Sequence, residues 1–101
     1  MFPDGVPEGF EREYGCTEAE WRRWMPEATH PHPLAWDEPC ALRVDIHPGF
    51  LRISWQILPS RVIALLKLPR LRVVFRFEGV SADERQRFMQ RLDLHLRRGG
   101  G

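Results

Sequence analysis

The stretch ALRVDIHPGFLRISWQI, residues 41–57, decides the fold. Leu42, Val44 and Ile46 alternate with Arg43, Asp45 and His47; Leu51, Ile53, Trp55 and Ile57 alternate with Arg52, Ser54 and Gln56. Alternation with a period of two marks a strand with one buried face. Pro48-Gly49 supplies turn chemistry between two such strands. With those two residues as the loop, His47 opposes Phe50. Counting outward, Ile46 meets Leu51, Val44 meets Ile53 and Leu42 meets Trp55 on one face, and Asp45 meets Arg52 on the other. The apolar pairs and the ion pair agree on one register.

A second hairpin is expected to turn at Pro69-Arg70. Leu71, Val73, Phe75 and Phe77 then face Leu68, Leu66, Ala64 and Val62 on a wholly apolar face. The opposite face sets Lys67 against Arg72, Leu65 against Val74 and Ile63 against Arg76. A rival reading makes Ser60 the cap of a short helix through Leu66. Strand is preferred because the pairing works and Val62 and Ile63 are β-branched.

Helices flank this region. Thr17 and Glu20 have the spacing of a capping box, and Trp21, Trp24 and Met25 follow on one face. Pro26 limits the helix to two or three turns. After it, Pro31, Pro33 and Pro39 mark an extended connector anchored by Leu34 and Trp36. Gly79 closes the last strand. Ser81 and Glu84 form a second capping box, with Asp83 favourable at the positive helix end. Phe88, Met89, Leu92 and Leu96 make the stripe of this final helix, which Gly99 to Gly101 stop. The expected fold is therefore α+β: a four-stranded antiparallel sheet of two hairpins, with the C-terminal helix on one face and a short N-terminal helix. Residues 1–15, rich in Gly, Pro and acids, are expected to be a flexible segment, and residues 16–101 a single domain.

The length of 101 residues suits one domain. No apolar run approaches the ~20 residues that span a bilayer, and Met1 to Phe10 carry no secretory signal pattern. A cytoplasmic protein with no membrane partner is expected. Fourteen Arg against the single Lys67 suggest a GC-rich bacterial genome. The net charge of +1 hides an asymmetry. Residues 1–40 hold nine acids and three bases, residues 41–101 five acids and twelve bases. Such a split points to an anionic partner or to one half packing on the other.

Function is sought on the second sheet face. There Ile63, Leu65 and Val74 form an apolar patch among Arg43, Phe50, Arg52, Lys67, Arg72 and Arg76. A cover for that face must be apolar and acidic. The Trp-bearing N-terminal third meets both demands, whether it comes from the same chain or from another in a swapped dimer. A protein partner is the other candidate. The runner-up is weak nucleic-acid binding, with Arg43, Arg52, Arg72 and Arg76 on phosphates and Phe50 stacking on a base. Cys16, His30, His32, Cys40 and His47 are zinc-type residues, but their spacing is not a compact ligand pattern, so no metal or other cofactor is expected. Cys40 and His47 stand an odd number of residues apart on a strand and so point to opposite faces, which counts against a nucleophile–base pair. The expectation is a non-catalytic accessory or protein-interaction module.

Overall fold

The structure, a computed structural model, describes residues 5–98. Its elements are β1 (Gly9–Tyr14), α1 (Glu18–Thr29), β2 (Leu34–Trp36), β3 (Ala41–Ile46), β4 (Gly49–Ile63), β5 (Leu66–Glu78) and α2 (Ala82–Arg98). The strands form one antiparallel sheet in the order β1-β5-β4-β3-β2. The α+β class holds, with five strands rather than four. Residues 9–14, expected in a loosely attached segment, are the edge strand β1. Residues 1–4 and the three terminal glycines lie outside the described residues.

The alternation places the side chains correctly through Trp55, whereas Ile57 is 60% exposed. Leu42, Val44, Ile46, Leu51, Ile53 and Trp55 are all buried on one face. The partners, however, shift by two: Ile46 faces Gly49, Val44 faces Leu51 and Leu42 faces Ile53. The loop is thus His47-Pro48. A slip of two residues preserves every side chain's face and changes every neighbour. The cause lies at Gly49, whose backbone presses on Glu78 and Gly79; a Cβ there would sit 2.0 Å from the Glu78 carbonyl oxygen. Asp45 consequently faces Phe50, and Arg43 stands directly opposite Arg52.

The second hairpin is a larger correction. Residues 60–67 are not a helix, but the chain does not turn at Pro69-Arg70 either. β4 runs through Pro59 and β5 through Pro69, and the two join at Ala64-Leu65. Lys67 therefore pairs with Val62 and Arg72 with Gln56. Proline lacks the N–H a central strand needs. Both prolines sit where β4 and β5 have outrun their neighbours, and a bulge between Leu58 and Arg61 absorbs the extra residue.

Both helices cover the same face. α1 is capped by Thr17, whose hydroxyl accepts from the Glu20 amide while the Glu20 carboxylate accepts from the Thr17 amide. It continues past Pro26 to Thr29 and buries Trp21, Met25 and Ala28, spaced as i, i+4, i+7. Trp21 lies edge-on to Trp55 at 6.3 Å. α2 buries Phe88, Met89, Leu92 and Leu96, with Phe88 edge-on to Phe77. The Ser81 hydroxyl accepts from the Glu84 amide, but the Glu84 carboxylate turns to Arg87, so only half of that capping box forms. The acidic, Trp-bearing segment thus joins α2 on the core face and does not cover the second one.

Candidate functional site

Beyond the Tyr14–Leu71 pair on one side and the Ala41–Ser54 pair on the other, β4 and β5 continue with no flanking strand among the described residues. Residues 57–70 form a two-stranded arm that extends roughly 20 Å past the sheet, at ~3.3 Å per residue. Its root is fixed by Glu13 of β1. Arg70 donates to both carboxylate oxygens of Glu13, each at 2.9 Å, and to the Pro59 carbonyl at 3.2 Å. Arg61 lies 3.8 Å from the same carboxylate. The Arg70 hydrogen bonds hold the Glu13 pKa below the usual carboxylate value.

The arm is apolar where it should be wet. Ile57 is 60% exposed, Val62 and Leu66 63% each, Ile63 52%, and Leu65 is fully exposed. Scattered exposed apolar residues are ordinary, but a contiguous run marks a surface that another body covers. By strand pairing, Ile63 and Leu66 lie on one side of the ribbon and Val62 on the other, with Leu65 at the end. The turn lacks the usual turn residues. Two-residue hairpin loops favour Gly, Asn or Asp where φ is positive, yet Ala64 holds φ +55. Charge adds a third feature: residues 46–77 contain six basic residues and no Asp or Glu.

The residues expected to share one site separate into two groups. Ile63, Leu65 and Lys67 belong to the arm. Arg43, Phe50, Arg52, Arg72, Val74 and Arg76 lie on the uncovered sheet face and are exposed, apart from the half-buried Phe50. On that face Arg43, Arg52 and Arg76 form a row across three adjacent strands. Like charges opposite each other are unfavourable unless neutralised. Arg43 bonds Asp45 at 3.0 Å and stacks over the Phe50 ring at 4.0 Å; Arg52 reaches Asp37 at 2.5 Å. Arg76 has no carboxylate partner among the described residues. Arg72 is 3.8 Å from Glu11.

The sequence reading missed Ile57, Leu58, Val62, Leu66 and Leu68 as parts of the arm. The available signal was the acid-free stretch, together with a run of apolar residues containing no Gly or Asn to turn on.

Other groups offer less chemistry. Burial raises the Cys16 thiol to about 11, with the Glu20 charge adding to the effect. Cys40 lies 3.8 Å from a Glu18 oxygen that also accepts from the Trp55 indole at 2.8 Å. Arg22 caps this cluster, stacked over Trp36 and Trp55 and bonded to Glu38 and the Pro39 carbonyl. These contacts clamp α1 to the sheet. A cavity of about 50 Å³ beside Val6, Arg12, Met89 and Asp93 has room for a water or two. Among the described residues no three His, Cys, Asp or Glu side chains gather as a metal site, and no helix is long and apolar enough to cross a membrane.

Comparison with known proteins finds no matching family model, no matching curated protein and no matching solved structure.

Proposed function

We propose that this chain is a non-catalytic, cytoplasmic accessory module that docks on another body through its hairpin arm. The observation that carries this reading is the exposure of Ile57, Val62, Ile63, Leu65, Leu66 and Leu68 on one ribbon that no other described residues cover. The body so contacted must present apolar and acidic character. The anchored root suits such a role: β4 and β5 are central in the sheet, so the arm is held by the whole core.

A photocrosslinking amino acid at position 65, in cells that make the protein naturally, tests the reading. Adducts at position 65, absent when the same group replaces the exposed Arg23 of α1, are expected. No adduct at position 65 beyond that control would refute arm docking.

The Arg43–Arg52–Arg76 row favours a second reading, weak nucleic-acid binding with Phe50 beside it. Three phosphate contacts would make affinity fall about 40-fold between 50 and 200 mM salt. Against this reading, Asp45 and Asp37 already neutralise two of the three guanidinium groups. Reversing the charge of Arg76 should abolish such binding, and affinity that survived would exclude this face.

A further inference from the structure

We propose that the tip of the arm, residues 62–66, inserts shallowly into an anionic lipid interface, with Arg61 and Lys67 at the level of the headgroups. This rests on the docking reading and names the surface that the arm meets.

The shape of the tip is the first argument. Val62, Ile63, Leu65 and Leu66 point to both sides and off the end of a protruding ribbon. A firm protein surface covers one side of such a ribbon, whereas a fluid interface closes around all of it. The turn agrees. Ala64-Leu65 puts a leucine at the very end of the hairpin, and full exposure of Leu65 is unfavourable until an apolar medium receives it.

Charge places the partner's sign. Arg61 and Lys67 stand within two to four residues of the end, so they lie about 7–13 Å behind it along the ribbon. An apolar segment buried ~5–10 Å into the boundary between headgroups and acyl chains leaves such bases beside lipid phosphates. Residues 46–77 hold no carboxylate, and the Glu13 carboxylate that Arg61 approaches at 3.8 Å sits at the root of the arm, where Arg70 bonds both of its oxygens. Each basic residue near an anionic membrane strengthens binding by about fivefold.

The edges and the chain's own acids weigh against the alternatives. Adding a partner's strand to the arm needs open edges, but Pro59 and Pro69 lack N–H groups, a bulge interrupts β4, and Lys67 lies in β5. These are the devices by which proteins discourage strand addition. A second copy would bring an equally basic arm. Eight of its thirteen described acids, Glu13 at the root of the arm among them, are already in ion pairs. The sequence-based expectation of no membrane partner rested on the lack of a spanning run, which tip insertion does not require.

The test is co-sedimentation of the full-length protein with vesicles of phosphatidylglycerol and phosphatidylcholine in equal parts, against phosphatidylcholine alone. Binding to the anionic vesicles is expected. Leu65→Ser should weaken it about tenfold, from the loss of a buried leucine, and Lys67→Gln about fivefold. Leu65→Trp should keep binding and show quenching by brominated acyl chains beyond that of the four native tryptophans, a signal that mere surface attraction does not give. Leu65 is fully exposed and Lys67 is exposed, so these variants should share the wild-type urea midpoint. No binding to the anionic vesicles, binding undiminished by Leu65→Ser, or an unquenched tryptophan would each overturn the proposal. If vesicles fail while position 65 crosslinks to a protein, the lipid assignment falls and arm docking stands. If both fail, both fall.

Discussion

Replacing Gly49 by Ala puts the register of the sheet to the test. The new Cβ would lie 2.0 Å from the Glu78 carbonyl oxygen, 2.5 Å from the Gly79 carbonyl carbon and 2.6 Å from its oxygen. Relief needs β4 and the end of β5 to part by roughly an ångström. Everything that must give is backbone, and Gly79 holds φ +67, so no side-chain rotation absorbs the clash. Overpacking in well-packed sites costs about 1–3 kcal/mol when side chains yield. Here the upper end applies, and a disturbed hydrogen bond between the Phe50–Glu78 neighbours adds about 1 kcal/mol. The expected loss is about 3–4 kcal/mol, a large share of a typical stability of ~5–15 kcal/mol. Urea unfolding followed by tryptophan fluorescence reads this directly. With a slope of about 1.5 kcal/mol per molar, the midpoint should fall by about 2–2.7 M. Gly9→Ala is the control. Its nearest contact would be 3.9 Å away, so it should be neutral or stabilise by about 0.4–1 kcal/mol through the unfolded chain. If Gly49→Ala shifted the midpoint no more than Gly9→Ala, the His47-Pro48 turn and its register would be wrong.

Three further outcomes follow from the same structure. Ala64→Gly should stabilise the fold by about 0.5–1 kcal/mol, since relief of a left-handed alanine at about 1–2 kcal/mol outweighs the entropy that glycine adds to the unfolded state; urea midpoints report it, and a destabilised variant would place the turn elsewhere. In native protein at mildly alkaline pH, Cys40 should react with a thiol reagent well before Cys16, whose burial and pKa of about 11 leave little accessible thiolate; mass spectrometry of the labelled sites checks the order. Glu13 has its pKa lowered in the folded state by Arg70, so its contribution is present above the unfolded value near 4.5 and is lost as pH falls through the lower folded value. Glu13→Gln should therefore lower stability at neutral pH and flatten its decline in acid, and an unchanged acid limb would exclude the Glu13–Arg70 clasp.

The helices and the inward faces of the three central strands are legible in the residues because local rules govern them. Thr17 with Glu20 sets the start of α1, and Phe88, Met89, Leu92 and Leu96 set the buried stripe of α2. Alternation fixes which side of the sheet Leu42, Val44, Leu51, Ile53, Phe75 and Phe77 occupy, since a strand's side chains repeat every two residues. Register is a different kind of quantity. A slip of two leaves the alternation intact, so Pro48-Gly49 and His47-Pro48 satisfy the same pattern equally well. The choice falls to the contact of Gly49 with Gly79, thirty residues along the chain and invisible to any local rule. The arm was hidden for a related reason. Pro59, Ser60 and Pro69 look like turns, and a turn built from Ala64-Leu65 carries no turn residue. Only the lengths of β1 and β3 decide that β4 and β5 pass their last neighbours and can tolerate proline there. The sequence alone determined which side chains face the core. The tertiary structure decided which apolar residues find no core to face, because burial depends on what the rest of the sheet reaches.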